Sequence, residues 1–319
     1  MLSGVEAFLL QSMDALPYQS SMIRAEALRL GFDKCGISRA EYLPEDAGRL
    51  GSWLRNQYHG EMAYMENHAD KRVDPTKLVE GAHSVIVVLL NYYPSENQKD
   101  PAAPVISKYA YGGDYHDVIR SRLQELLHYI QVNIAPATGR AFADSAPVLD
   151  RAWAARAGLG WIGKNTNLIT PESGSFFFIG SLIVDIPLHY DQPIQDFCGD
   201  CNRCIRACPT SAIIAPRLID ARKCISYLTI ENKEEIDAGF RDQFNNRVFG
   251  CDICQDVCPW NRKAKPHAVK EFEPLPGLLE MTRQDWHDLN EPQFNTLFRK
   301  SAVKRTKFAG LRRNLKFIE

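Results

Sequence analysis

No stretch of this 319-residue chain stays apolar for the roughly 20 residues that a membrane-spanning helix needs. The longest apolar runs, 84–90 and 176–184, are far shorter. Residues 1–16 hold no basic segment followed by a small-residue cleavage site, and no twin-arginine pair. Repeats and low-complexity tracts are missing too. A surplus of one charge is also lacking. The formal net charge is −1, which argues against a protein that grips polyanions with its whole surface. These absences predict a soluble, cytoplasmic protein with no membrane partner, working as a monomer. What remains is ordinary for a globular chain, 45% hydrophobic and 24% charged, and long enough for two or three units.

The nine cysteines are the informative residues. Cys198, Cys201, Cys204 and Cys208, followed by Pro209, read C-x2-C-x2-C-x3-C-P. That is the bacterial two-cluster ferredoxin spacing, whose fourth cysteine ligates the other cluster. Cys251, Cys254 and Cys258, followed by Pro259, repeat its last three cysteines. The missing first position would be Val248, so another thiolate must substitute, and Cys224 is the candidate between the runs. The expected assignment is crossed: Cys198, Cys201, Cys204 and Cys258 on one 4Fe-4S cluster, Cys208, Cys224, Cys251 and Cys254 on the other. Zinc sites use separated pairs of ligands, and a triple followed by Cys-Pro fits them poorly. Disulfides suit small secreted domains rather than this chain. Cys35 stands alone and reads as a buried thiol.

Along the chain, helical spacing appears at 20–30, 118–134 and 152–157, and buried strands at 84–92 and within 175–186. The pattern predicts an α+β first domain over 1–187. A small irregular cysteine segment follows over 188–265, with a core expected to be largely the clusters. A helical, basic tail occupies 266–319. The string Gly158-Leu159-Gly160-Trp161-Ile162-Gly163 matches G-x-G-x-x-G. A dinucleotide fingerprint needs a strand before it and a helix after it. Here helix precedes and extended residues follow, so the glycines read as a turn or as room for a large flat ligand.

Three further stretches are distinctive: Asp144-Ser145-Ala146-Pro147-Val148-Leu149-Asp150-Arg151, the glycine string continued by Lys164-Asn165, and Gly174-Ser175-Phe176-Phe177-Phe178. Together with Lys223-Cys224-Ile225-Ser226 and the Phe249–Asn261 stretch, they resemble the epoxyqueuosine reductase family over nearly the whole chain. The longer members of that family carry a C-terminal helical-repeat domain. This chain ends soon after Gly310-Leu311-Arg312-Arg313-Asn314 and is expected to be a short form. The resemblance implies a nitroreductase-like cobalamin-binding domain, a ferredoxin-like domain with two 4Fe-4S clusters, and reduction of epoxyqueuosine to queuosine at the wobble position of tRNA. It implies tRNA with a queuosine-type anticodon as partner, and a low-potential electron donor such as a flavodoxin or ferredoxin. No D-x-H-x-x-G string is present to place a histidine under cobalt, so cobalamin is expected base-off, without a protein axial ligand.

The chemistry agrees with that reading. Converting an epoxide to an alkene takes two electrons and two protons, and no side chain supplies low-potential electrons, whereas iron–sulfur clusters do. The resemblance places the proton donor at Asp144, which also contacts the cofactor. A carboxyl held protonated by burial beside a large apolar ring would suit that role. The plainer reading is a helix cap near Pro147. Asp150, beside Arg151, reads as a surface ion pair. Lys108, Lys164, Asn165, Gly174 and Ser175 are the candidate cobalamin contacts, against plain loop structure. Tyr109, Tyr111, Asp114, Tyr115 and His116 belong to an aromatic loop that either lines the substrate pocket or packs. Arg299, Lys300, Lys304, Arg305, Arg312 and Arg313 are candidate tRNA contacts, because phosphate charge dominates such affinity; a solvated helix face is the bland alternative. Residues 226–233 are a second candidate for gripping the anticodon loop. A reductive dehalogenase relative and a cobalamin carrier remain the competing readings.

Overall fold

A computed structural model of the protein describes the backbone of residues 4–319 and the side chains from residue 15 onward. Its centre is a four-stranded antiparallel sheet in the order Lys34–Arg39, Ser84–Asn91, Phe177–Val184, Gly139–Phe142. Ile37 lies opposite Ile86, Val88 opposite Gly180, and Ala141 opposite Leu182. The sequence Ser-Val-Ile-Val-Val-Leu-Leu-Asn does not alternate, and the reason is now visible: the 84–91 strand is central and every residue from Ser84 to Leu90 is buried. Its two sets of side chains enter separate cores. Ile86, Val88 and Leu90 meet Ile23 and Ala27 of the helix Gly4–Arg29 and Ile119, Leu123 and Leu126 of the helix Tyr115–Asn133. Val85, Val87 and Leu89 meet Leu43, Trp153 and Ala154 on the other face. Each such side chain contributes roughly 1.5–3 kcal/mol by leaving water. Gly180 sets the close approach of the 115–133 helix, since a Cβ there would lie 2.5 Å from Ile119 Cγ2.

The glycine string behaves as a turn. The helix Asp150–Arg156 precedes it, and the hairpin Trp161–Ile162 with Leu168–Ile169 follows. A Cβ on Gly160 would lie 2.3 Å from the Ile169 carbonyl, so these glycines allow the hairpin to close.

The cysteine segment has more apolar core than the sequence suggested. Ile225, Tyr227, Leu228, Ile236 and Phe244 pack with Phe317 of the terminal helix Lys307–Ile318. A further core binds all parts together. An arm of the first domain supplies Ala103, Ile106, Ala110 and Tyr111, and its Val105–Ile106 pairs in parallel with Arg247–Phe249. Val248, Phe249, Trp286, Phe298, Leu311 and Leu315 complete that core. The tail is a string of short helical turns, each too small to bury a core alone. Among the described residues no helix is long and apolar enough to cross a membrane.

Candidate metal centre and active-site recess

All nine cysteines are free thiols. Burial raises Cys204 and Cys258, and the neighbouring thiols add to it: Cys198 and Cys258 act on Cys204, and Cys198 and Cys201 act on Cys258. Burial likewise raises Cys254 far above the ordinary thiol value, with Cys251, Cys224 and Cys208 adding to it. Cys224 is raised by burial and by Cys208. The fold therefore gathers two foursomes, each drawing on both runs. Among the described residues no three His, Cys, Asp or Glu side chains converge as they would on a single ion.

Opposing burial are N–H groups aimed at the sulfurs. The amides of Ser226 and Tyr227 reach Cys224, that of Ile253 reaches Cys251, and those of Trp260 and Asn261 reach Cys258. The Ala212 amide donates to Cys208 Sγ at 3.3 Å, and the Trp161 indole N–H donates to Cys198 Sγ at 3.4 Å. Donors of this kind stabilise thiolate and raise cluster potential. The donor set fits two 4Fe-4S clusters.

The two foursomes differ in depth. Cys201 is exposed, whereas burial pushes Cys251 up to about 12. The deep foursome borders the first domain. The Asn165 amide donates to the Cys254 carbonyl at 3.3 Å. Lys108 Nζ sits 2.7 Å from Asp256 and 3.7 Å from Asp252, two carboxylates interleaved with the second cysteine run. Ser175 accepts from Asn261 and Gln255 through its hydroxyl, at 3.0 and 3.2 Å, and its amide donates to Asn261 at 2.6 Å. Gly174 has φ +80°, and a Cβ there would lie 2.0 Å from Asn261 Oδ1. Lys164 Nζ donates to the Gly199 carbonyl at 2.5 Å. The structure thus brings Lys108, Lys164, Asn165, Gly174 and Ser175 together along the seam between first domain and clusters. Their side chains are spent on holding the cysteine loops.

Asp144 lies elsewhere on this seam, at φ +55°, a conformation that costs a non-glycine residue of order 1 kcal/mol or more. Its side chain is 64% exposed, yet it is crowded on all sides at longer range. It therefore stands on the floor of an open recess. It caps no helix, because the 150–156 helix starts from Leu149 without a side-chain cap. Tyr115 donates its hydroxyl to Asp144 Oδ2, and His116 Nε2 lies 3.7 Å from the same oxygen. The other ring nitrogen of His116 lies 2.6 Å from Asp114. Burial disfavours a charged His116, but hydrogen bonds to Asp114 and Asp144 outweigh it and lift its pKa to about 9. The hydrogen bond from His116, opposed by desolvation, in turn holds Asp144 below the ordinary carboxylate value. Asp144 is thus paired with a histidine that burial opposes and two carboxylates favour in its protonated form, which sets a proton beside the expected donor.

The expectation for Asp150 is corrected. Arg151 turns away to the Thr166 carbonyl at 2.7 Å, and Asp150 accepts from Ser181 Oγ at 3.2 Å. Burial, and then the charge of Asp144, push Asp150 up to about 7. Two carboxyls of one recess are thus driven apart in pKa, a pattern typical of acid–base sites. Tyr109 is half-buried near Asp144 and Asp252, while Tyr111 is absorbed into the shared core.

The tail residues divide. Arg299, Lys300 and Lys304 are exposed. Arg305 forms two hydrogen bonds with Glu231, at 3.1 and 2.9 Å. Arg312 donates to the His287 carbonyl at 2.6 Å. Arg313 donates to the carbonyls of Leu228, Asn232 and Glu234, and so pins the tail to the 226–233 stretch. Tyr64 and Arg72, which no sequence spacing singled out, also feel the charge of Asp144 and belong to the recess.

Comparison with known proteins adds the following. A family model described as "4Fe-4S double cluster binding domain" matches residues 197–261, and one described as "Epoxyqueuosine reductase QueG, DUF1730" matches residues 72–145. The epoxyqueuosine reductase of Cellulophaga algicola is 56% identical over 307 residues, 96% of this chain and 100% of its own. A solved epoxyqueuosine reductase bound to an epoxyqueuosine-modified tRNA-Tyr stem loop superposes with a TM-score of 0.88 at 31% identity, covering 94% of this chain and 81% of that one. The Bacillus subtilis enzyme, solved with its catalytic aspartate loop swung out of the active site, gives 0.86 at 30% identity, covering 94% of this chain and 81% of that one. A reductive dehalogenase shares the fold at a TM-score of 0.51 and 19% identity, covering 94% of this chain and 38% of that one.

Proposed function

The chain belongs to the epoxyqueuosine reductase family, and from that premise we propose that it reduces epoxyqueuosine to queuosine at the wobble position of tRNA, the last step of queuosine biosynthesis. One observation carries the reading onto this chain's own residues. Tyr109 lies near both Asp144 of the recess and Asp252 of the second cysteine run, and the amide of its neighbour Lys108 donates to Asp252. Electrons and protons therefore have a common destination.

The reaction removes one oxygen, consumes two electrons and two protons, and releases water. The eight thiolates Cys198, Cys201, Cys204, Cys258, Cys208, Cys224, Cys251 and Cys254 hold the two 4Fe-4S clusters. We place entry of electrons at the outer foursome, where Cys201 is exposed and Phe197 is 48% exposed. Arg203, Arg206 and Arg262 are exposed in the same ligand loops and suit an acidic flavodoxin or ferredoxin as donor. Cobalamin held beside Asp144 would supply the two-electron chemistry at carbon that no side chain offers. Lys108, Lys164, Asn165, Gly174 and Ser175 form the wall against which it lies. Asp144 faces the leaving oxygen and passes it a proton drawn from His116, and Asp150 is the second acid within the recess. The tail holds tRNA through Arg299, Lys300, Lys304 and Arg305, with Arg312 and Arg313 fixing the tail itself. We take the protein to act as a cytoplasmic monomer.

The test is nucleoside mass spectrometry on epoxyqueuosine-containing tRNA after anaerobic incubation with reconstituted protein, cobalamin and a strong reductant. Queuosine should appear, and only with added cobalamin. No conversion by protein with both clusters and bound corrin would refute the reading.

A further inference from the structure

We infer that Tyr64, Arg72 and Arg305 form a binding subsite for an unpaired nucleotide of the anticodon loop, beside the reacting one. The inference rests on the functional reading above and assigns part of its substrate contact. Tyr64 lies on the short turn Ala63–Met65 and is 41% exposed, one of few large apolar side chains left open to solvent. Two guanidinium groups from distant parts of the chain lie near its ring. Arg72 lies 6.0 Å from the ring centroid and Arg305 lies 5.8 Å from it.

Both cations are held in place. Arg305 is fixed by Glu231 through two parallel hydrogen bonds, a geometry that keeps the guanidinium plane from swinging. Arg72 is only 8% exposed, and its Nη2 donates to the Tyr64 carbonyl at 2.5 Å. Its Nε is buried and has no hydrogen-bond partner.

A partly exposed aromatic ring beside two guanidiniums is the chemistry that receives a splayed base together with its phosphate. The three residues also sit within electrostatic reach of Asp144. A nucleotide bound there is a neighbour of whatever reacts over Asp144. The corrin's own nucleotide arm shares the same chemistry, so the experiment must separate the two sources.

The experiment uses the full chain with reconstituted clusters and cobalamin, and a dye-labelled anticodon stem-loop carrying epoxyqueuosine. Binding is read by fluorescence anisotropy over a range of salt. Corrin occupancy is read by absorbance and cluster content by iron analysis. Tyr64→Ala should weaken stem-loop binding about 10-fold, the loss of one stacked base, with corrin and iron unchanged. Tyr64→Phe, which keeps the ring, should bind like the wild type. Arg305→Ala should lower the slope of log affinity against log salt by about 1, one phosphate contact. Unchanged stem-loop affinity in Tyr64→Ala overturns the subsite. So does lost corrin with unmoved stem-loop affinity, which would give the site to the cofactor. If the wild type itself fails to bind the stem-loop, the functional reading has failed first, and the subsite falls with it.

Discussion

Asp114→Asn is the most informative single change in the recess. Asp114 does two jobs. Its side chain accepts from the His116 amide at 3.0 Å, capping the 115–133 helix, and it holds the His116 ring at 2.6 Å. Asparagine caps as well as aspartate, so the cap survives and only the charge is lost. His116 titrates at about 9, against an ordinary value of 6.5. At ~1.36 kcal/mol per pKa unit, that difference represents roughly 3 kcal/mol shared between Asp114 and the more distant Asp144. The sign follows from a folded pKa above the unfolded one. The stabilisation is complete below about pH 6.5, where both states carry the proton, and it is lost as pH rises through about 9. Removing the nearer carboxylate should drop the His116 pKa by one to two units, on the order of 1–3 kcal/mol. The assay is turnover of an epoxyqueuosine stem-loop from pH 6 to 10, with thermal unfolding in parallel. The alkaline limb of turnover should move from near 9 toward 7, with the stability difference largest at acid pH. An alkaline limb that stays in place would refute His116 as the proton store.

Asp144→Ala should keep clusters and corrin while losing turnover; normal reduction of substrate by that variant would remove the proton-transfer role. Cys224→Ala should lose one cluster, taking iron from about eight per chain to about four, and an unchanged count would strike Cys224 from the ligand set. Trp161→Phe deletes the indole N–H on Cys198 Sγ. The potential of the outer cluster should fall in a redox titration followed by electron paramagnetic resonance, with the deep cluster unmoved.

What could be read from the sequence was local chemistry. Cluster ligands two and three residues apart make a pattern in one dimension, and Cys224 followed from a gap in it. The apolar run 85–90 and the stripe through Leu123 and Leu126 were legible because burial and periodicity leave a direct trace. The strands Lys34–Arg39 and Gly139–Phe142 were not, since each lies at an edge of the sheet and is only partly buried. The site was legible by residue and not by state. Asp144 stood out, but its charge depends on His116, one residue into a helix 28 positions earlier. Asp150 was misread because its sequence neighbour Arg151 leaves for Thr166, and only the folded sheet brings Ser181 to it. Arg313 resembled a phosphate contact until the carbonyls of Leu228, Asn232 and Glu234 claimed it. The residues Lys108, Lys164, Asn165, Gly174 and Ser175, expected to contact a flat cofactor, have as their partners loop carbonyls, carboxylates and amides contributed by the cysteine segment.

The arm that pairs Val105–Ile106 with Arg247–Phe249 has a consequence for how the protein fails. It threads the first domain into the core that the cysteine segment shares with the tail. Damage at one place therefore does not stay local. Oxygen that strips iron from the deep foursome loosens the loops to which Lys108 and Asn165 are tied, and with them the edge of the recess. Heat that frays the terminal helix withdraws Leu311 and Leu315 from around Phe249, one residue before the Gly250-Cys251 turn. The molecule should lose its metal, the shape of its recess and its tail in one cooperative transition, with no surviving fragment that still carries electrons.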